Sequence, residues 1–170
     1  MENTTFDYVK SMTEGHKYGE IVAERLRLNG VRCTVPDLYI VVSFAEIPEM
    51  TATEKDIILD DSGECLEVKS RNIEFTELKD FPWGNIIVDT VSGYEAKLQK
   101  PYAYVMVSAK TKAMFGLLTS TKDKWTVKQL HDKHRGHDDN FYVVDIEHCI
   151  PWEELVVFIK NLEDEQWWNG

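Results

Sequence analysis

The chain has 170 residues, 43% of them hydrophobic and 29% charged, with a net charge of −11. That is the composition of one ordinary folded domain covering residues 1–170, and it excludes a disordered or fibrous chain. The acidic balance weighs against general phosphate binding, because neutralising phosphates is the main source of nucleic-acid affinity, although a local basic stripe can act against an acidic background.

No apolar run approaches the roughly 18 residues of a membrane span, so no membrane partner is expected. The opening "MENTTFDYVKSM" lacks the basic-then-apolar order of a secretory signal. Cys33, Cys65 and Cys149 are odd in number and widely spaced, without a CxxC pair. They suit a reducing compartment and argue against a disulfide framework or a zinc knuckle, so a cytoplasmic location is expected.

Residues 15–29 repeat apolar side chains at helical spacing, with Tyr18, Ile21, Val22 and Leu26 on one face and Gly30 where a helix-ending glycine belongs. "VRCTV" reads as a strand, and "PDLYIVVSFAEIPEM" as either another strand or a lid. "TEKDIILDDSGECLEVKSRN" reads as a hairpin, with "DDSG" at its turn. "FTELKDFPWGNIIVDTVSG" reads as a long irregular connection, "YEAKLQKP" as a short helix, and "YAYVMVSA" and "AMFGLLTS" as strands. Residues 126–134 are expected to be helical and "NFYVVDI" a strand. "PWEELVVFIKNL" is a last helix with Pro151 at its first turn. The order predicts an α/β sandwich with a mixed sheet.

The hairpin carries more charge than its apolar runs explain. A two- or four-residue loop centred on Asp61 and Ser62 places Asp56 opposite Glu67, Ile58 opposite Cys65 and Glu54 opposite Lys69. Asp56, Glu67 and Lys69 then share one face, while Ile57, Leu59, Leu66 and Val68 form a core face. Two carboxylates at a cross-strand distance of roughly 5 Å repel unless something positive lies between them. A hard cation such as Mg²⁺ (or Mn²⁺) is held by one or two carboxylates and keeps several waters. A lysine beside it would orient or deprotonate a water, or stabilise charge on a phosphate. Glu-x-Lys triplets also occur at Glu77-Leu78-Lys79 and Glu95-Ala96-Lys97. Only Glu67-Val68-Lys69 ends an apolar strand and faces an aspartate.

An aspartate before "IIL", a short turn and "CLEVKSR", preceded by "GEIVAERLRLNGVRC", resembles the core of the PD-(D/E)XK nuclease superfamily. Restriction enzymes, Holliday-junction resolvases and RecB-like exonucleases belong to it. The resemblance runs in the family's order across residues 15–71. It implies a restriction-endonuclease-like αβ sandwich with a central mixed sheet flanked by helices, and Mg²⁺-dependent hydrolysis of DNA. Carried over, Asp56 and Glu67 would hold the metal with the Val68 carbonyl, Lys69 would position or activate the water, and Glu20 would correspond to the helix glutamate. Lys55 stands where the motif's proline is often found. A literal Pro-Asp occurs at Pro36-Asp37, so Asp37 is an alternative to Asp56, as Glu24 is to Glu20.

Arg71 follows Lys69 on the same strand face, and Lys97, Gln99, Lys100 and Tyr102 follow the core; these are the candidate DNA contacts, the glutamine and tyrosine by likeness to RecB-like members. Lys110, Lys112, Lys122, Lys124, Lys128, Lys133 and Arg135 form the most basic part of the chain, with Trp125 available to stack on a base. His131, His134 and His137 match no zinc spacing and read as surface histidines. The cysteines read as core residues. "EDEQWWNG" either packs back on the domain or presents a docking tail. DNA is the expected partner; a homo-oligomer or a protein partner stays open. Two rivals remain. One is an inactive domain of the same fold that binds DNA or protein; the other is an acidic interaction protein or DNA mimic.

Overall fold

The computed structural model describes residues 8–38, 53–133 and 135–168. Most of the strand-or-lid segment, His134 and the packing of the tail tryptophans lie outside the described residues. Helix α1 (Tyr8–Leu28) begins about two turns before the expected start and buries Val22, Ala23 and Leu26. It ends as its glycine requires. Gly30 takes φ 83°, its N–H donates to the Arg27 carbonyl, and Val31 N–H donates to Leu26. Only glycine adopts that backbone without steric cost.

Strands β1 (Cys33–Thr34), β2 (Ile57–Leu59), β3 (Cys65–Arg71), β5 (Ala103–Ser108), β6 (Met114–Leu118) and β9 (Ile150–Pro151) form one sheet in the order β1-β2-β3-β5-β6-β9. The β3–β5 pair is parallel and the others antiparallel, so the sheet is mixed as expected. A second, antiparallel sheet joins β4 (Asn85–Thr90), β8 (His137–Asp145) and β7 (Thr126–Asp132) in the order β4-β8-β7. Helices α2 (Val91–Ala96) and α3 (Trp152–Trp168) complete the fold.

The large sheet is covered differently on its two sides. One face packs Leu66, Val68, Val105 and Val107 against α1 and against Trp152, Leu155 and Ile159 of α3. The other turns Tyr104, Met106, Phe115 and Leu117 toward Ile86, Val88, Tyr142 and Val144 of the small sheet. This is an α/β sandwich, but its long helices lie on one side only.

Three expectations are corrected. The helix expected over 126–134 is absent from its described residues: β7 pairs with β8 from Thr126–Val143 to Asp132–His137. The helical spacing of Val127 and Leu130 gives way to a hairpin whose turn rests on Gly136 at φ 72°. The connection over 75–93 is not irregular throughout, since it contains β4 and its buried Ile86 and Val88. The short helix also lies earlier than "YEAKLQKP". Thr90 caps its start by accepting from Gly93 N–H at 3.0 Å, and the Lys100 ammonium donates to the carbonyls of Tyr94, Glu95 and Lys97 at its end.

Helix α3 sits directly on Gly116 of β6. A Cβ there would lie 2.6 Å from Leu155 Cδ2 and 3.0 Å from Cγ. Gly116→Ala is therefore expected to cost about 1–3 kcal/mol by overpacking, read as a fall of several degrees in Tm by thermal denaturation. An unchanged Tm would show that the helix is not seated on this strand.

Candidate active site

The hairpin sets the register of the site. Ile57 pairs with Leu66 and Ile58 with Cys65. The loop closes through Leu59 N–H to Glu64 O at 2.8 Å and Gly63 N–H to Leu59 O at 2.9 Å, with Gly63 at φ 74°. This is the expected four-residue loop. Asp60 and Asp61 belong to the turn and tie it to β1 through Thr34 and Arg32. One residue before β2, Asp56 accepts the Val68 N–H at 2.7 Å, continuing the ladder with a side chain. Val68 sends its own side chain into the helix-side core. A strand residue directs N–H and C=O to the same edge, so its carbonyl faces the Asp56 side. Helix α1 approaches closely, because Gly19 leaves the Asp56 carbonyl only 3.6 Å from where a Cβ would be.

Glu67 and Lys69 point to the opposite side, and two residues from later in the chain meet them there. Lys69 Nζ lies 3.2 Å from Glu67 Oε1 and 3.4 Å from Asp89 Oδ1. Lys97 Nζ lies 3.5 Å from the same Glu67 oxygen and 3.8 Å from Asp89 Oδ2. Buried Tyr104, register partner of Glu67 on β5, donates its hydroxyl to Asp89 Oδ2 at 3.0 Å. Asp89 reaches this spot through an irregularity in β4, where the pairing with β8 shifts between Ile87 and Asp89. Val88 and the Asp89 side chain are consecutive yet both withdrawn from solvent, a re-aiming typical of a bulge.

Asp56, Glu67, Asp89 and the more exposed Glu54 bring four carboxyl groups to the Lys69 and Lys97 ammonium groups, with the Arg71 guanidinium also acting on Asp89. Burial, and then Glu67, push the Asp56 carboxyl well above the usual range, against the Val68 N–H and Lys69, which favour its charge. Glu54 is raised for the same two reasons. Burial works against a charge on Lys69, but Glu67 and Asp89 outweigh it and raise its pKa, so the side chain stays an ammonium. Burial and Asp89 together keep the Tyr104 hydroxyl protonated.

The other predicted site residues are placed elsewhere. Glu20 is half exposed on α1, 3.8 Å from His16, and takes no part in the ion pairs of the cluster; its helical position opposite the apolar stripe turns it outward. Glu24 and Asp37 are exposed. Lys97 belongs to the cluster rather than to a DNA track. Gln99 donates to the Gly63 carbonyl at 3.0 Å, Lys100 caps α2, and Tyr102 packs beside the helix-side core. Arg71 donates to the Ile87 carbonyl at 3.3 Å. Trp125 does not offer a free stacking face. It is buried among Tyr94, Tyr104 and Tyr142, and its indole donates to Thr121. His131 pairs with Asp138 across the β7–β8 hairpin. All three cysteines are buried and free, and burial pushes Cys65 up to about 11 and Cys149 up to about 12, which removes thiolate chemistry at neutral pH.

Among the described residues no group of three His, Cys, Asp or Glu side chains stands ready to enclose a metal ion. Mg²⁺ does not require one, since it is commonly held by one or two carboxylates and water. Asp56 and Glu67 lie near enough that Glu67, after burial, pushes the Asp56 carboxyl up. No protein-family model matches the chain, and a search of curated proteins finds no relative of it.

Proposed function

We propose that this protein is a metal-dependent deoxyribonuclease of the PD-(D/E)XK type. What supports the reading is the meeting of Asp56, Glu67 and Lys69 at one end of a hairpin, where burial and then Glu67 push the Asp56 carboxyl up while Glu67 pairs with the Lys69 ammonium. Asp56, Glu67 and the Val68 carbonyl would hold the ion. Mg²⁺ bound there would polarise the scissile phosphate and lower the pKa of the attacking water. Lys69, as an ammonium, serves as a hydrogen-bond donor and a positive charge. It orients the water and stabilises the charge that grows on the phosphate as the P–O bond to the leaving strand breaks. Asp89 acts on Lys69 as a positioning residue, 3.4 Å from its ammonium, and Tyr104 holds Asp89 in place through its hydroxyl.

A second reading rests on one observation. Lys69 and Lys97 each bridge Glu67 and Asp89, an arrangement that also serves a purely structural network in a non-catalytic domain. Incubation of the full chain with plasmid and with single- and double-stranded oligonucleotides in Mg²⁺ or Mn²⁺ separates the two. Cleavage that stops with EDTA is the expected result. Intact DNA of every form under both metals sinks the enzyme reading and leaves the structural one.

A further inference from the structure

Next to the charged cluster, on the same strand faces, lies a cavity of about 310 Å³. The strands reach it in step. On β3 the sequence Glu67, Lys69, Arg71 leads from the cluster to its rim. On β4 the pairing shift after Ile87 turns Asp89 to the cluster, while Asn85, Ile86 and Ile87 line the cavity. On β5 Met106, the register partner of Lys69, lines its floor. Two residues along a strand span roughly 7 Å, about the reach from a phosphate to its own base.

The lining is specific in character. Phe75, Phe81, Trp83 and Phe115 supply aromatic walls, with Phe81 set edge-on to Phe75, Trp83 and Phe115 at centroid distances of 5.5, 6.1 and 5.3 Å. Trp83 is 59% exposed, an unusual place for an indole. The exposed side-chain amides of Asn72 and Asn85 and the Arg71 guanidinium add polar groups at the rim. The volume lies at the lower end of the roughly 300–1,000 Å³ found for small-molecule sites, room for one ring system. Aromatic walls favour a flat, stacking ring over a flexible lipid chain. A planar heterocycle would stack on these walls and turn its polar edge toward Asn72 and Asn85 at the rim.

We propose that this cavity receives a single nucleobase of the substrate strand, stacked on Trp83, while the neighbouring phosphate lies at the charged cluster. The proposal rests on the nuclease reading for its substrate class, and its test is independent of cleavage. Deoxyadenosine, which has no phosphate, is titrated into the full chain without metal and followed by NMR. Trp83→Ala, Trp83→Phe and the ligand indole serve as comparisons. The expected result is saturable deoxyadenosine binding, weakened about fivefold or more by Trp83→Ala, the lower bound for loss of one base–aromatic stack, and largely kept by Trp83→Phe. Because Trp83 is exposed, its removal leaves the core intact. No deoxyadenosine binding, binding indifferent to Trp83→Ala, or equal binding of indole would each overturn base recognition. Base binding without any DNA cleavage keeps the cavity's role and removes the hydrolase reading. Cleavage without base binding does the reverse.

Discussion

Lys69→Ala is expected to slow Mg²⁺-dependent DNA cleavage by about 10²–10³-fold, the usual loss when one preorganised donor to developing charge is removed. Glu67→Gln should lose at least as much, since it removes a ligand charge as well as a partner of both lysines. The fold should survive the lysine change. Lys97 contacts the same two carboxylates at 3.5 and 3.8 Å, so neither Glu67 nor Asp89 is left buried without a cation. The cost in stability should therefore stay below the roughly 3–5 kcal/mol of orphaning a buried charge. Circular dichroism and Tm measured beside the cleavage rate decide the matter. A folded Lys69→Ala protein that cleaves at the wild-type rate excludes Lys69 from the chemistry. Lys69→Arg is informative too: it keeps the charge on a flat, wider group, so it should restore Tm more fully than rate.

The second large effect concerns Asp56. Its folded pKa stands above the unfolded value, chiefly through burial and then through Glu67. The fold thus favours the protonated carboxyl. Its contribution is fully present below the unfolded carboxylate pKa near 4 and is lost as pH rises through the raised folded value. Glu54 is raised and acts in the same direction. Wild-type Tm, measured without metal, should therefore carry a decline from this pair as pH rises from about 4 toward neutrality. Asp56→Asn keeps an oxygen for the Val68 N–H and removes the charge, so it should raise Tm at pH 8 by a few degrees and change little near pH 4. Mg²⁺ should act on wild type as the substitution does, because the ion replaces the proton on the carboxylate. Its stabilisation should grow with pH and vanish in Asp56→Asn. A wild-type-to-variant difference in Tm that is constant from pH 4 to 8 would show that Asp56 is not the strained group. A Mg²⁺ shift that persists in the variant would place the ion elsewhere.

The gain from removing Asp56 and the loss of activity expected with it are two sides of one arrangement. Sites that gather like charges out of water do so at the expense of stability, and the substitution that relaxes them commonly disables them.

Much of the hairpin was legible along the chain because its information is local. The turn residues, the period-two alternation and the apolar face of Ile57, Leu59, Leu66 and Val68 allow few registers, and the observed Ile58–Cys65 pairing is among them. Helix α1 was legible for a similar reason, its glycine-capped end more so than its start. Residues 126–134 were misleading. Val127 and Leu130 have helical spacing, yet β7 is mostly exposed, so no buried stripe existed to hold a helix, and pairing with β8 prevailed. Asp89 could not be recognised as a member of the cluster. It closes an apolar run, "IIVD", as many surface strands do, and only the shift in β4 pairing turns it inward. Lys97 stood in a Glu-x-Lys triplet no different from its neighbours until the end of α2 carried it to Glu67.

The amino-acid order alone determined the α/β class, the hairpin and the convergence of Asp56, Glu67 and Lys69, because each depends on contacts between residues close in sequence or on their alternation. Only the tertiary structure decided that Asp89, Lys97 and Tyr104 complete the cluster, that Trp125 is buried, and that an aromatic cavity opens beside the site. Those outcomes depend on how the small sheet packs against the large one. Such packing joins residues far apart in the chain through the burial of apolar faces, which no local spacing encodes.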